Sequence, residues 1–105
     1  MTINCIEVID EELLLQQASV SSERYSKGQF ISVLDGVLIG VNDEMDVKGM
    51  PTTLGTDMPH FQNKKLGIDS AIVRKLRQMG AIIACKLRMA EIGITPRSLY
   101  IPQKW

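Results

Sequence analysis

Two apolar runs of five residues, VLIGV at 37–41 and AIIAC at 81–85, most limit how this chain can fold. Each is too short for a helix, and neither alternates polar with apolar residues. Together with their β-branched content, that pattern predicts strands buried on both faces, as strands of parallel sheets are. Between them, glycine, proline and threonine crowd the segment at 43–59 (DEMDVKGMPTTLGTDMP), which reads as loop and short extended pieces. A helix follows, capped by Asp69 or Ser70. Its apolar positions Ile72, Val73, Leu76 and Met79 keep the 3.6-residue period while Arg74, Lys75 and Gln78 face away, and Gly80 ends it. Strand, long loop, helix and strand in that order predict a right-handed parallel crossover, and so an α/β fold.

Upstream, Asp10 followed by Glu11 and Glu12 signals a helix start, and Lys27 with Gly28 the stop. Leu14, Ala18, Ser21 and Tyr25 give that helix a thin apolar stripe. Residues 1–9 show no clear pattern, and Leu34, Asp35 and Gly36 read as the turn into the first strand. Met89 to Ile92 reads as a helical turn before Thr95 and Pro96 interrupt. A chain of 105 residues has room for a single core. Its expected organisation is a helical segment at 1–33, a core at 34–93 and a tail at 94–105.

Acids and bases are unevenly placed. Residues 1–47 hold nine acids against two bases, and residues 48–105 hold ten bases against three acids. Arg74, Lys75, Arg77, Lys86 and Arg88 read as a solvated helix face, because no aromatic residues interleave with them for base stacking; no nucleic-acid partner is expected. Cys5 and Cys85 form no CxxC pair or Cys/His cluster, which predicts reduced cysteines, with no metal and no cofactor. His60, in a loop near Asp57, reads as solvated, and Asp43, Glu44 and Asp46 read as loop caps. The apolar runs fall well short of the roughly 20 residues of a membrane helix. Without a leader or such a span, an intracellular placement is expected, and peripheral association with a membrane is compatible with it.

The stretch GVLIGVNDEMDVKGMPTTLG at 36–55 resembles the opening motif of the amidase signature family. In that family a strand of the form Gly-Val-x-x-x-x-Lys-Asp precedes Asp-Val-x-Gly-x-Pro-Thr-Thr-x-Gly. A second block, DSAIVRKLRQMGAIIACKLRMAE at 69–91, follows at the family's spacing. The approach segment from Gln17 to Val41 is most similar to plant-type fatty acid amide hydrolases. The resemblance runs from Gln17 to Gly93.

It implies a fragment of a large α/β fold: an N-terminal helix plus a parallel strand-loop-helix-strand unit. It also implies relationship to hydrolases that cleave the amide bonds of N-acylethanolamines and related lipid amides, using two serines and a lysine. The lysine must be a basic amine within reach of a hydroxyl. Asn42 occupies its place, and a carboxamide cannot take a proton. None of Ser19, Ser21, Ser22, Ser26, Ser32, Ser70 and Ser98 lies in a glycine-rich turn that could present oxyanion donors. Lys48, six residues beyond Asn42, matches a position that the family often fills with lysine without catalytic use. Where the family reads Gly-Lys-x-Asn, this chain reads Cys85-Lys86-Leu87-Arg88. The expectation is a truncated pseudoenzyme with no catalytic residues of its own, or else a small interaction protein built on the same fold fragment, for which a full-length amidase is the natural partner.

Overall fold

The computed structural model describes residues 5–56 and 67–89. The expectations for His60 and Asp57, for Ser98, for the turn running on from Met89 and for the tail at 94–105 lie outside the described residues.

The elements run β1 (Ile6–Ile9), α1 (Glu11–Ser26), β2 (Leu38–Asn42), α2 (Ala71–Gln78) and β3 (Ile82–Leu87). Both helices start where side-chain chemistry dictates. The Asp10 carboxylate accepts from the Leu13 N–H, and Ser70 accepts from the Val73 N–H, each satisfying a donor that the first helical turn leaves open. The crossover is present, because β2 pairs parallel with β3 over Leu38–Ile82 to Asn42–Leu87. The addition is β1, which pairs antiparallel with the far edge of β3 and makes the sheet mixed, in the order β1-β3-β2. Its only sequence signal is the short IEVI stretch, which is too brief to stand out.

β3 is the central strand, with Ile82, Ile83, Cys85 and Lys86 all buried. The expectation for the other run is corrected: β2 is not buried on both faces. Leu38 is 61% exposed and only Val41 is buried, because β2 forms an edge of the described sheet and one of its faces is thinly covered. Successive strand residues point to opposite faces. Ile83, Val41 and the partly buried Ile39 pack with Val73 of α2 and with Val47 and Met50 of the loop. Ile82 and Leu38 instead line a groove with Ala18, Ser21 and Tyr25 of α1. The sheet is thus sandwiched between two helical layers.

α1 is anchored less by its apolar stripe than by one carboxylate. Asp35, in the turn before β2, accepts from Ser21 Oγ at 2.7 Å, from Arg24 Nε and Nη2 at 2.8 and 2.6 Å, and from the Ile31 N–H at 2.9 Å. The Tyr25 hydroxyl donates to the Asp35 carbonyl at 2.8 Å. The Arg24 guanidinium foremost, with Ser21 and the Ile31 N–H, holds the Asp35 carboxyl well below the usual carboxylate range despite its desolvation. A depressed folded-state value contributes stability that is complete above the unfolded value of about 4 and is lost as pH falls through the folded value. Thermal stability should therefore decline below about pH 4, and Asp35→Asn should flatten that part of the profile while lowering the plateau. An unchanged acid limb in Asp35→Asn would contradict this.

Candidate functional site

β2 and β3 end side by side, and ligand crevices of open α/β sheets lie beyond such carboxyl ends. Asn42 closes β2 in register with Leu87, and the Asp43 N–H continues the pairing by donating to the Leu87 carbonyl at 3.1 Å. Asn42 is exposed, and its carbonyl accepts from the Met45 N–H at 3.0 Å. Since Ile39 and Val41 face the α2 side and Leu38 the α1 side, alternation places the Asn42 side chain on the α1 side.

Lys86 lies on the other face, opposite Val41 in the register. The reading of Lys86 as part of a solvated helix face is overturned: it belongs to β3 and its side chain is 0% exposed. The ammonium donates to the Pro51 carbonyl at 3.0 Å and to Thr52 Oγ1 at 2.8 Å, and lies 3.1 Å from Asp43 Oδ1. The carboxylate contact is ionic, without the alignment of a hydrogen bond. Two hydrogen bonds and one ion pair thus enclose the ammonium, which is cut off from solvent. On its other oxygen, Asp43 accepts from the Thr53 N–H at 3.3 Å and from Thr53 Oγ1. A buried charge persists only when paired and hydrogen-bonded in this way. The sequence does hold a signal, in that Lys86 sits between Cys85 and Leu87 as a lone charge continuing an apolar strand.

The remaining basic residues divide. Arg74 and Lys75 are exposed on α2 as expected. Arg77 Nε pairs with Asp69 at 3.0 Å while its Nη1 donates to Gln17 of α1, and Arg88 Nε, just past β3, pairs with Glu7 at 3.0 Å. Neither of these two is a free solvated charge.

The loop from Asp43 to Thr56 is a wall around Lys86. Val47 and Met50 are driven into the core, Thr52 Oγ1 donates to Asp46, and the Asp46 carbonyl accepts from the N–H of Ser70 at 2.8 Å. The Lys48 N–H donates to Asp69 at 2.8 Å and its side chain is exposed. Asp43 and Asp46 thus do more than cap the loop; Glu44 is exposed.

The wall ends in a turn where the Thr56 N–H donates to the Thr53 carbonyl. Both central residues have positive φ, Leu54 at 56° and Gly55 at 70°. That is the pattern of a type I′ turn, in which leucine costs about 1–2 kcal/mol. Leu54→Asn should stabilise the chain by about 0.5–1 kcal/mol in urea denaturation, since asparagine tolerates this region. A loss of stability would refute the strain.

Four of the described serines are occupied structurally. Ser21 donates to Asp35, Ser26 to the Glu23 carbonyl, Ser32 to the Met79 carbonyl, and Ser70 caps α2. Ser19 and Ser22 lie exposed on α1. Burial pushes the Cys85 thiol up, away from the thiolate that a nucleophile requires.

The family model described as Amidase matches residues 1–100, a wider span than Gln17 to Gly93. A fatty acid amide hydrolase of Arabidopsis thaliana is 39% identical over 85 residues, 81% of this chain and 14% of that protein. One component of the mitochondrial glutamyl-tRNA(Gln) amidotransferase of Ornithorhynchus anatinus is 32% identical over 92 residues, 88% of this chain and 17% of its own length. Among solved structures, one described as an amidase superposes with a TM-score of 0.75 at 35% identity, covering 87% of this chain and 20% of the other. The chain spans a small part of each relative.

Proposed function

The chain belongs to the amidase family, and from that premise we propose that it is a fatty acid amide hydrolase-like member whose 105 residues do not hydrolyse lipid amides by themselves. The observation behind the inactivity is Asn42. It stands at the carboxyl end of β2, where the family motif has a lysine, and Lys86 cannot replace that amine because it lies on the opposite face, enclosed by three partners. A missing general base typically forfeits orders of magnitude in rate. Within these residues no glycine-rich turn presents a serine. The test is turnover of an N-acylethanolamine by the purified chain, with a heat-killed sample as the control. No difference between them is expected, and turnover above the control would overturn the reading.

A second reading rests on β2. Its outer edge has no partner among the described residues, and Leu38, Val37 and Val33 beside it are 61%, 42% and 88% exposed. Unpaired strand edges invite pairing with another chain. On this reading the chain is a non-catalytic interaction protein whose partner is a full-length amidase. Mixing the isotope-labelled chain with such an amidase should shift the amide resonances of Leu38 to Asn42; unchanged resonances at saturating partner would remove it.

A further inference from the structure

The uneven placement of acids and bases along the sequence acquires a spatial meaning once the internal pairs are set aside. Arg24 pairs with Asp35, Lys27 with Glu23, Arg77 with Asp69, Lys86 with Asp43 and Arg88 with Glu7. The exposed charges left over among the described residues separate by layer. Asp10, Glu11 and Glu12 stand at the start of α1, on one side of the sheet. Lys48, Arg74 and Lys75 stand on α2 and the loop packed with it, on the other side, where Glu44 is the one acid left over among the described residues. Each helix also exposes an apolar side chain, Leu15 at 69% and Ile72 at 58%. Residues three or four apart share a helix face, so Leu15 lies beside Glu11 and Glu12, and Ile72 beside Lys75. In α1 the acids precede the leucine, whereas in α2 the lysine follows the isoleucine, so the two faces match when the helices run antiparallel. That orientation also sets the first turn of α1 beside the last turn of α2, which are opposite ends of two helix dipoles.

We propose that the α1 face of one copy of this chain docks on the α2 face of a second copy, with Glu11 and Glu12 meeting Arg74 and Lys75 while Leu15 packs on Ile72. The two faces are different surfaces on opposite sides of the sheet, so the contact is heterologous. A pair formed this way leaves one acidic and one basic face unused, and assembly continues past the dimer. Exposed ion pairs contribute little singly and are screened by salt, so the association is weak and salt-sensitive. It is separate from any pairing at the edge of β2, because Leu38 to Asn42 carry no charge.

The experiment is sedimentation velocity of the full chain over a concentration series at low and high salt, with Debye lengths of roughly 20 Å and roughly 4 Å. At low salt the mean mass should rise with concentration beyond that of a dimer, and at high salt it should return to that of the monomer. Glu11→Lys with Glu12→Lys, and separately Arg74→Glu with Lys75→Glu, should each leave a monomer at low salt, with circular dichroism reporting that the helices are kept. An equal mixture of these two double variants should associate again, because each reversed face now complements a face of the other. Leu15→Gln keeps every charge and should move association to several-fold higher concentration; it carries the test if a charge reversal does not fold. A monomer at every concentration and salt would overturn the proposal. So would assembly that persists at high salt or in both reversed variants, as pairing through the uncharged edge of β2 would give, and so would a mixture that stays monomeric.

Discussion

Lys86→Met should remove most of the chain's folding stability. Breaking a buried ion pair from one side costs about 3–5 kcal/mol, because the partner charge stays behind without compensation. Asp43 would keep the Thr53 N–H and hydroxyl but lose its cation, and Thr52 and Pro51 would lose the donor that ties the loop to β3. Small domains have only about 5–15 kcal/mol in total, and a chain of this size lies toward the low end. Urea denaturation followed by far-ultraviolet circular dichroism at low protein concentration gives the measurement. Combining the change with Asp43→Asn should recover much of the loss, since removing both charges leaves no isolated ion. A single variant within about 1 kcal/mol of the parent would mean that water reaches the ammonium and that the site is not closed.

Gly80→Ala should cost about 3 kcal/mol, by strain and by collision together. Gly80 sits between α2 and β3 with φ at +90°, a conformation that an L-residue holds only under strain of about 1–3 kcal/mol. A methyl group there would meet the Cα of Asp35 at 2.8 Å and its side chain at 2.9 Å. Backbone cannot step aside as a flexible side chain can. The Gly36 N–H donates to the Gly80 carbonyl at 3.0 Å, which holds the two turns together, so the clash falls on the carboxylate that anchors α1. Gly67→Ala, with none of the described residues within 4 Å of the new methyl, is the control and should stay within about 0.5 kcal/mol. Equal stability of the two variants would show that the contact between the turns is looser than these distances imply.

Position 42 was legible as a candidate because the motif around it is linear: strand, turn and loop follow one another in the chain. Lys86 was not, because a lysine's environment depends on what folds over it. In sequence, Lys86 and Arg74 are two bases in the same basic half. In space, one points to solvent from α2 and the other is capped by a loop more than thirty residues away. Asp35 behaves likewise. It reads as a turn residue, and it is one, yet Ser21 and Arg24 converge on it from the preceding helix at a spacing that only the packed chain brings together.

What the sequence determined by itself is local or nearly so. Caps at Asp10 and Ser70, the stop at Gly28, the parallel crossover from β2 to β3 and the family all follow from chemistry within a few residues or from order along the chain. What only the tertiary structure decided is neighbourhood. β3 became the central strand because β1 pairs with its far edge, β2 became an edge, and Lys86 became buried because Asp43, Pro51 and Thr52 close over it. Burial and charge compensation are properties of surroundings, and surroundings are assembled from residues far apart in the chain.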